Sequence, residues 1–264
     1  MKTVDFELFR VADIQNKFPW YYYFTMNSYT YKNVQKAFRD QADPARAKMC
    51  ERYFKTGKGE YAEGDKFLGL TNPMMRNTAR KFYGLPLPEI EKLITSPYHE
   101  ERVATLVIAL HQFKKGDEKV KKSIFDFYLA NTKYINNWDL VDISAGTIVG
   151  QYLKDKPKTI LTKLAHSEYL FERRIAMIAT FEYIYHEDAT EALRIATILL
   201  HDKHDLIHKA VGWMLREIGK KCSEKILCDY LDIHTPTMPR TTLRYAIERF
   251  PEEKRQKYLR ITRS

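Results

Sequence analysis

Apolar residues return at intervals of three and four along most of this chain, as in Val103, Leu106, Val107 and Leu110, with charged residues filling the positions between them. That period puts the apolar side chains on one stripe of an α-helix. It predicts helices near residues 73–83, 87–95, 98–114, 118–130, 136–153, 157–166, 168–185, 189–200, 205–219, 222–231, 239–249 and 251–260. An earlier helix is expected to start with Asp43 as its N-cap and Pro44 in the first helical position, and to run to about Tyr53. Short connections carrying Pro, Gly, Asp or His separate the segments. Alternating Val/Ile/Thr runs are missing, and ten glycines and ten prolines are sparse for a protein made of β-hairpins. The expected fold class is all-α, a chain of helical hairpins.

The hairpins are related in sequence. S-P-Y-H-E-E-R-V-A ends at Ala104, S-E-Y-L-F-E-R-R-I-A at Ala176, D-K-H-D-L-I-H-K-A at Ala210 and P-R-T-T-L-R-Y-A at Ala246, so the four anchors lie 72, 34 and 36 residues apart. The first interval is two periods long, which places a further repeat at Leu140, inside N-N-W-D-L-V-D. Helix pairs repeating at this period predict an α-solenoid of HEAT-like repeats, the second helix of each pair lining a concave surface. Two residues before each anchor stand Arg102, Trp138, Arg174, His208 and Arg244, and Arg173, Lys209 and Arg240 lie beside them. With successive helices about 10 Å apart, such a column forms a cationic groove able to follow phosphates along part of a duplex.

Charge agrees with that picture. Lys and Arg number 44 against 34 Asp and Glu, a formal net charge of +10, which raises the local concentration of anionic partners such as nucleic acid. Cys50, Cys222 and Cys228 are too few and too scattered for a disulfide framework or a zinc site, and fit a reduced, cytoplasmic and nucleoid-associated setting. No secretory signal is visible in M-K-T-V-D-F-E-L-F-R, and no apolar run approaches the roughly 20 residues of a membrane span. Residues 1–40 differ from the rest in holding the cluster Phe18 to Phe24, and are expected to be an aromatic-rich extension to a repeat domain over 41–264.

The candidate chemistry lies in two stretches. In N-N-W-D-L-V-D, Trp138 and Asp142 are four residues apart and project from one helix face. In H-K-A-V-G-W-M-L-R-E, Trp213 follows Ala210 by three residues, with Gly212 beside it permitting the close approach of a neighbour. An acid between two indoles on a cationic surface can stabilise a cation held within a polyanion. The loop K-T-G-K-G-E-Y-A-E-G-D matches neither the P-loop nor the dinucleotide pattern, and reads as a connection between helices. His201 and His204 form an H-x-x-H that lacks a third metal ligand nearby, so a loop role is expected, with no metal and no cofactor.

From about Asp43 to Leu259 the chain resembles the DNA alkylation repair family, the AlkD-like DNA glycosylases. The resemblance rests on N-N-W-D-L-V-D, E-R-R-I-A-M-I-A and H-D-L-I-H-K-A-V-G-W-M-L-R-E in that order, with Y-F-K-T-G-K-G-E-Y and K-F-L-G-L upstream. It implies excision of positively charged N3- or N7-alkylated purines from duplex DNA by hydrolysis of the N-glycosidic bond, acting on a base left in the stack. It further implies Asp142 as the catalytic carboxylate, Trp138 and Trp213 as the residues flanking the lesion, and Arg174 as a phosphate-side arginine. Arg173, His208, Lys209, Arg216, Arg240 and Arg244 would complete the DNA-binding set. The partner implied is double-stranded DNA carrying alkylated bases, bound by a monomer without an obligate protein partner. Two alternatives have the same fold: a catalytically inactive relative binding branched or distorted DNA, and a protein-interaction scaffold.

Overall fold

A computed structural model describes residues 29–261; the aromatic cluster Phe18–Phe24 lies outside the described residues. The fold is all-α, of the α-solenoid class, with no strand among the described residues. None of the described helices is long and apolar enough to cross a membrane. The described residues divide into two compact units, one made of those up to Cys50 with Lys66–Ala109, the other of Glu51–Asp65 with those from Leu110 on.

In the first unit, α1 (Tyr31–Arg39) packs on α3 (Asn72–Arg80) and α4 (Leu87–Leu93), while α2 (Pro44–Tyr53) begins at the proline expected to start it. Helix α1 lies in the stretch read from sequence as an extension. Val34 and Phe38 are its buried residues, too few to register as a period. The start of α5 (His99–Lys115) carries two buried carboxylates, each neutralised locally. Glu100 accepts from the backbone N–H groups of Leu68, Gly69 and Leu70, at 2.9, 2.8 and 3.3 Å. Glu101 accepts from Ser96 Oγ at 2.6 Å, Arg39 Nε at 2.7 Å and Gln35 Nε2 at 2.9 Å. Buried acids persist only with such donors. Gly69, in K-F-L-G-L, has φ +83°, and a β-carbon there would stand 2.3 Å from the Asp43 carbonyl oxygen.

The second unit carries the repeats. Its helices are α6 (Glu118–Ala130), α7 (Trp138–Ala145), α8 (Thr159–Ala165), α9 (Leu170–Ala179), α10 (Phe181–Tyr185), α11 (Thr190–Leu199), α12 (Asp205–Lys221), α13 (Glu224–His234), α14 (Arg240–Ala246) and α15 (Glu252–Arg260). Helix α7 packs on α9, α9 on α12 and α12 on α14, so the second helices of successive repeats lie side by side. The repeat anchors are where they meet: Leu140, Ala176 and Ala210 are fully buried and Ala246 nearly so. The apolar period thus located the helix-to-helix seam, because small side chains let neighbouring helices approach.

Two expected segments differ in detail. The one spanning 168–185 divides at Thr180, whose buried hydroxyl donates to the Met177 carbonyl oxygen at 2.7 Å and competes with the helical ladder. The one spanning 136–153 is α-helical only to Ala145 and then widens into a π-helical stretch, Gly146–Gln151. Gly212 meets its expectation: a β-carbon there would lie 2.5 Å from both the Thr242 carbonyl oxygen and Tyr245 Cβ, so α12 and α14 could not pack as they do.

Candidate functional site

Helices α7, α9, α12 and α14, with the loop that follows α2, enclose an open cleft of about 730 Å³ in the second unit. Trp138 opens α7, its backbone N–H held at 2.8 Å by the side chain of Asn137, and Asp142 follows one turn later. Both line the cleft, as the four-residue spacing requires. Trp213 reaches the same cleft from α12, half-buried, one turn beyond the Ala210 seam.

Asp142 is held by Arg174 of α9. Arg174 Nε donates to Asp142 Oδ1 at 2.9 Å and Nη2 to Oδ2 at 2.8 Å, while Nη1 donates to the Leu206 carbonyl oxygen at 2.6 Å. The side chains of Arg174 and Asp142 are 5% and 17% exposed, so the pair is largely withdrawn from water while an edge of the carboxylate still reaches the cleft. Burial raises the Asp142 pKa above the ordinary aspartate value, and the Arg174 guanidinium opposes that rise. The nitrogens of Arg174 are engaged within the protein, so as placed it orients the acid.

The other residues expected to bind DNA are not all brought to the cleft. Lys209 and Arg216 line the cleft with the acid and the indoles. Lys209 Nζ lies 2.7 Å from Asp205 Oδ2, which holds the Lys209 pKa above its ordinary value. Arg216 pairs with Glu248 and, at 3.5 Å, with Glu217. His208 and Arg240 border a separate hollow of about 360 Å³. There Arg240 donates to the Leu259 carbonyl oxygen at 2.6 Å, and a His208 ring nitrogen meets the Asp202 carbonyl at 2.5 Å. Arg173 is clamped on Asp202, with Nε at 2.6 Å from Oδ2, and also donates to the carbonyls of Ser167 and Glu168. Arg244 is exposed on α14, and Arg102, the column's member in the first unit, is buried and donates to the Ser96 carbonyl at 2.8 Å.

Several cleft residues were not singled out by sequence. Tyr53 and Phe54 surround the indole of Trp138, with centroids at 6.1 and 5.6 Å, the latter ring stacked at 23°. Lys55, Gly59, Glu60 and Tyr61 come from the loop read as a mere connection, and Tyr245 from α14. His204 caps α12, its Nδ1 accepting from Leu206 N at 3.1 Å; burial lowers its pKa, which keeps that nitrogen available as an acceptor. The usable signal for Tyr245 was the repeat itself: it precedes an anchor by one residue, as Lys209 does.

The site is therefore a cleft lined by a largely buried, arginine-held carboxylate and two half-exposed indoles, together with lysine and arginine. Such a set can stabilise positive charge on a bound group that carries its own anionic chain. The family model described as "DNA alkylation repair enzyme" matches residues 34–250. A solved structure, "Predicted DNA alkylation repair enzyme from Enterococcus faecalis", is similar at a TM-score of 0.61 and 15% identity, over 80% of this chain and 98% of that one. At that identity the likeness is one of fold. No curated protein matches the chain.

Proposed function

This chain belongs to the DNA alkylation repair enzyme family, and from that premise we propose that it is a DNA N-glycosylase releasing positively charged N3- or N7-alkylated purines from duplex DNA. The observation that carries this reading is the convergence of Asp142, Trp138 and Trp213 on one open cleft from helices two repeats apart. The repeat domain, residues 41–264 on this reading, would act as a monomer needing no cofactor.

The chemistry follows from the substrate's charge. A cationic alkylpurine takes the electron pair of the C1′–N bond as that bond breaks and leaves neutral, so no general acid has to protonate it. Positive charge then develops on the deoxyribose, as in glycoside hydrolysis. The Asp142 carboxylate, fixed by Arg174 and facing the cleft, stabilises that charge and orients the water whose oxygen bonds to C1′. The displaced water proton passes to Asp142 or to solvent. Trp138 and Trp213 exclude bulk water and attract the cation, a contribution of about 0.5 to 2 kcal/mol each. An open cleft suits a duplex laid across it better than a single extruded base.

The decisive experiment is release of 7-methylguanine or 3-methyladenine from methylated duplex DNA by the wild type and by Asp142→Asn. Wild-type release with a loss of about 10² to 10³ in the variant supports the role. Full activity in Asp142→Asn removes the carboxylate from the mechanism. No release by either protein, with duplex binding retained, moves the reading to a DNA-binding relative without activity.

A further inference from the structure

The glycines of K-T-G-K-G-E match no common phosphate-binding spacing, yet their backbone N–H groups hold anions. Gly57 N donates to Glu60 Oε2 and Gly59 N to Glu63 Oε2, each at 2.8 Å. Both bonds lie at the surface, and each has one member in the lining of the cleft, Glu60 in the first and Gly59 in the second. Lys55 lines the cleft too, its Nζ 3.9 Å from Glu60 Oε1, and Lys58 is exposed between the two glycines.

The loop that presents these donors is folded. Ala62, nearly fully buried, donates its N–H to the Lys55 carbonyl oxygen at 3.1 Å, and Glu60 N donates to the Gly57 carbonyl oxygen at 3.0 Å. Lys55 has φ 59° and Gly59 φ 78°, left-handed conformations that are uncommon for lysine and ordinary for glycine. A β-carbon at Gly59 would meet nothing beyond its chain neighbours within 4 Å, so the backbone is uncovered there.

A carboxylate so placed has the charge and the two-oxygen edge of a phosphodiester, and donors that hold one can hold the other. The glutamates are weakly kept. A hydrogen bond exposed to water contributes little net stability, and the Glu60 side chain is 41% exposed on a stem with several rotatable bonds. A polyanion laid in the cleft repels the Glu60 charge and offers the Gly57 N–H another acceptor. Because the backbone is already folded, one anion can replace the other without rearranging the loop.

We propose that the N–H groups of Gly57 and Gly59, with Lys55 and Lys58, form a phosphodiester-binding element on the rim of the cleft, and that Glu60 and Glu63 occupy it as anionic stand-ins in the free protein. The assignment rests on the proposed function for duplex DNA as the occupant, and on the contacts within the loop for the donors. None of these groups touches a reacting atom. They fix the strand, and they exchange partners as it arrives.

The test separates the donors from the charge. Glu60→Asp and Glu63→Asp keep the net charge but shorten the stem by one methylene, so the carboxylate falls short of the glycine N–H. Each is expected to tighten binding of undamaged duplex about threefold, the scale of one exposed hydrogen bond. A single neutral methylphosphonate, moved along the strand, should abolish that gain at the contacted position. In protein labelled with ¹⁵N-glycine, which has ten glycines, the peaks missing from Gly57→Ala and Gly59→Asn identify the two amides, and both should move when duplex is added. Unmoved peaks overturn the proposal, as do aspartate variants that bind duplex no tighter than the wild type. Peaks that move with inorganic phosphate and not with duplex also overturn it, assigning the loop to a free anion. Release of 7-methylguanine with unmoved glycine peaks keeps the glycosylase reading and removes this one; moved peaks with no release by the wild type do the reverse.

Discussion

Arg174 grips Asp142 with two parallel hydrogen bonds, Nε to Oδ1 and Nη2 to Oδ2, at 2.9 and 2.8 Å. The residues sit on neighbouring helices, α9 and α7, so the contact that fixes the carboxylate also ties one repeat to the next. Fork-to-fork geometry leaves the acid no rotational freedom and turns its remaining lone pairs toward the cleft. Burial favours the protonated acid, the guanidinium favours the anion, and burial has the larger effect on the Asp142 pKa.

That balance sets a pH dependence. Glycosylase activity on the proposed reading needs the Asp142 anion, so kcat should fall on the acid side with a midpoint above the ordinary aspartate value of 3.8. Arg174→Met removes the opposing charge, raises the Asp142 pKa further and should move the acid limb to higher pH. Stability runs the opposite way: an acid with a raised folded pKa contributes below its unfolded value and loses that contribution as pH rises through the folded one. The measurement is kcat against pH for the wild type and Arg174→Met, and an acid limb that stays in place would show that a different group titrates.

Much of this was legible in sequence because repetition is a strong signal. The anchors Ala176, Ala210 and Ala246 located the inner seam, and counting back one period placed Trp138 and Asp142 on it. What sequence could not supply was the partner of each charge. Arg174 and His208 fall in one column by register with Arg173 beside it, yet Arg173, Arg174 and His208 turn to Asp202, Asp142 and the Asp202 carbonyl respectively. Those partners lie 29, 32 and 6 residues away, at distances set by tertiary packing. The loop residues Lys55 to Tyr61 were read as a connection for a related reason: an irregular backbone has no period, and its place beside the cleft is decided only when the chain closes.

Arg173 is expected to serve stability more than binding. Its guanidinium spans Asp202 and the carbonyls of Ser167 and Glu168, joining the start of α9 to the connection before α12. Its side chain is 18% exposed and that of Asp202 7%, so truncation strands a carboxylate with little access to water. Arg173→Met should cost about 2 to 4 kcal/mol in urea unfolding. A loss below about 0.5 kcal/mol, the scale of an ordinary surface change, combined with weakened duplex affinity, would return Arg173 to the DNA-binding set.

Gly212 couples packing to the site. A methyl group there meets the Thr242 carbonyl oxygen and Tyr245 Cβ at 2.5 Å, both on α14, so α12 must shift outward. Trp213 is the next residue and moves with it. Gly212→Ala should therefore destabilise the fold by about 1 to 3 kcal/mol and also lower excision. Thermal melts together with single-turnover excision rates test the coupling; a variant as stable as the wild type would mean that α14 yields without cost.

The last expectation concerns the fate of the DNA strand once the base has left. A lysine amine in a glycosylase cleft can attack C1′, form an imine and go on to cut the strand, but only as the free base. Lys209 lines the cleft, and its ammonium lies 2.7 Å from Asp205, which keeps its pKa above the ordinary lysine value. Nucleophilic attack would require giving up both the proton and the ion pair, whereas water held at the Asp142 carboxylate requires neither. The expected product is an intact strand with an abasic site, cleaved only after alkali treatment, and no covalent adduct should appear when borohydride is added during turnover. Asp205→Asn lowers the barrier to deprotonating Lys209 and is the variant in which a trapped adduct should first be sought; a borohydride adduct in the wild type would assign the amine a covalent role.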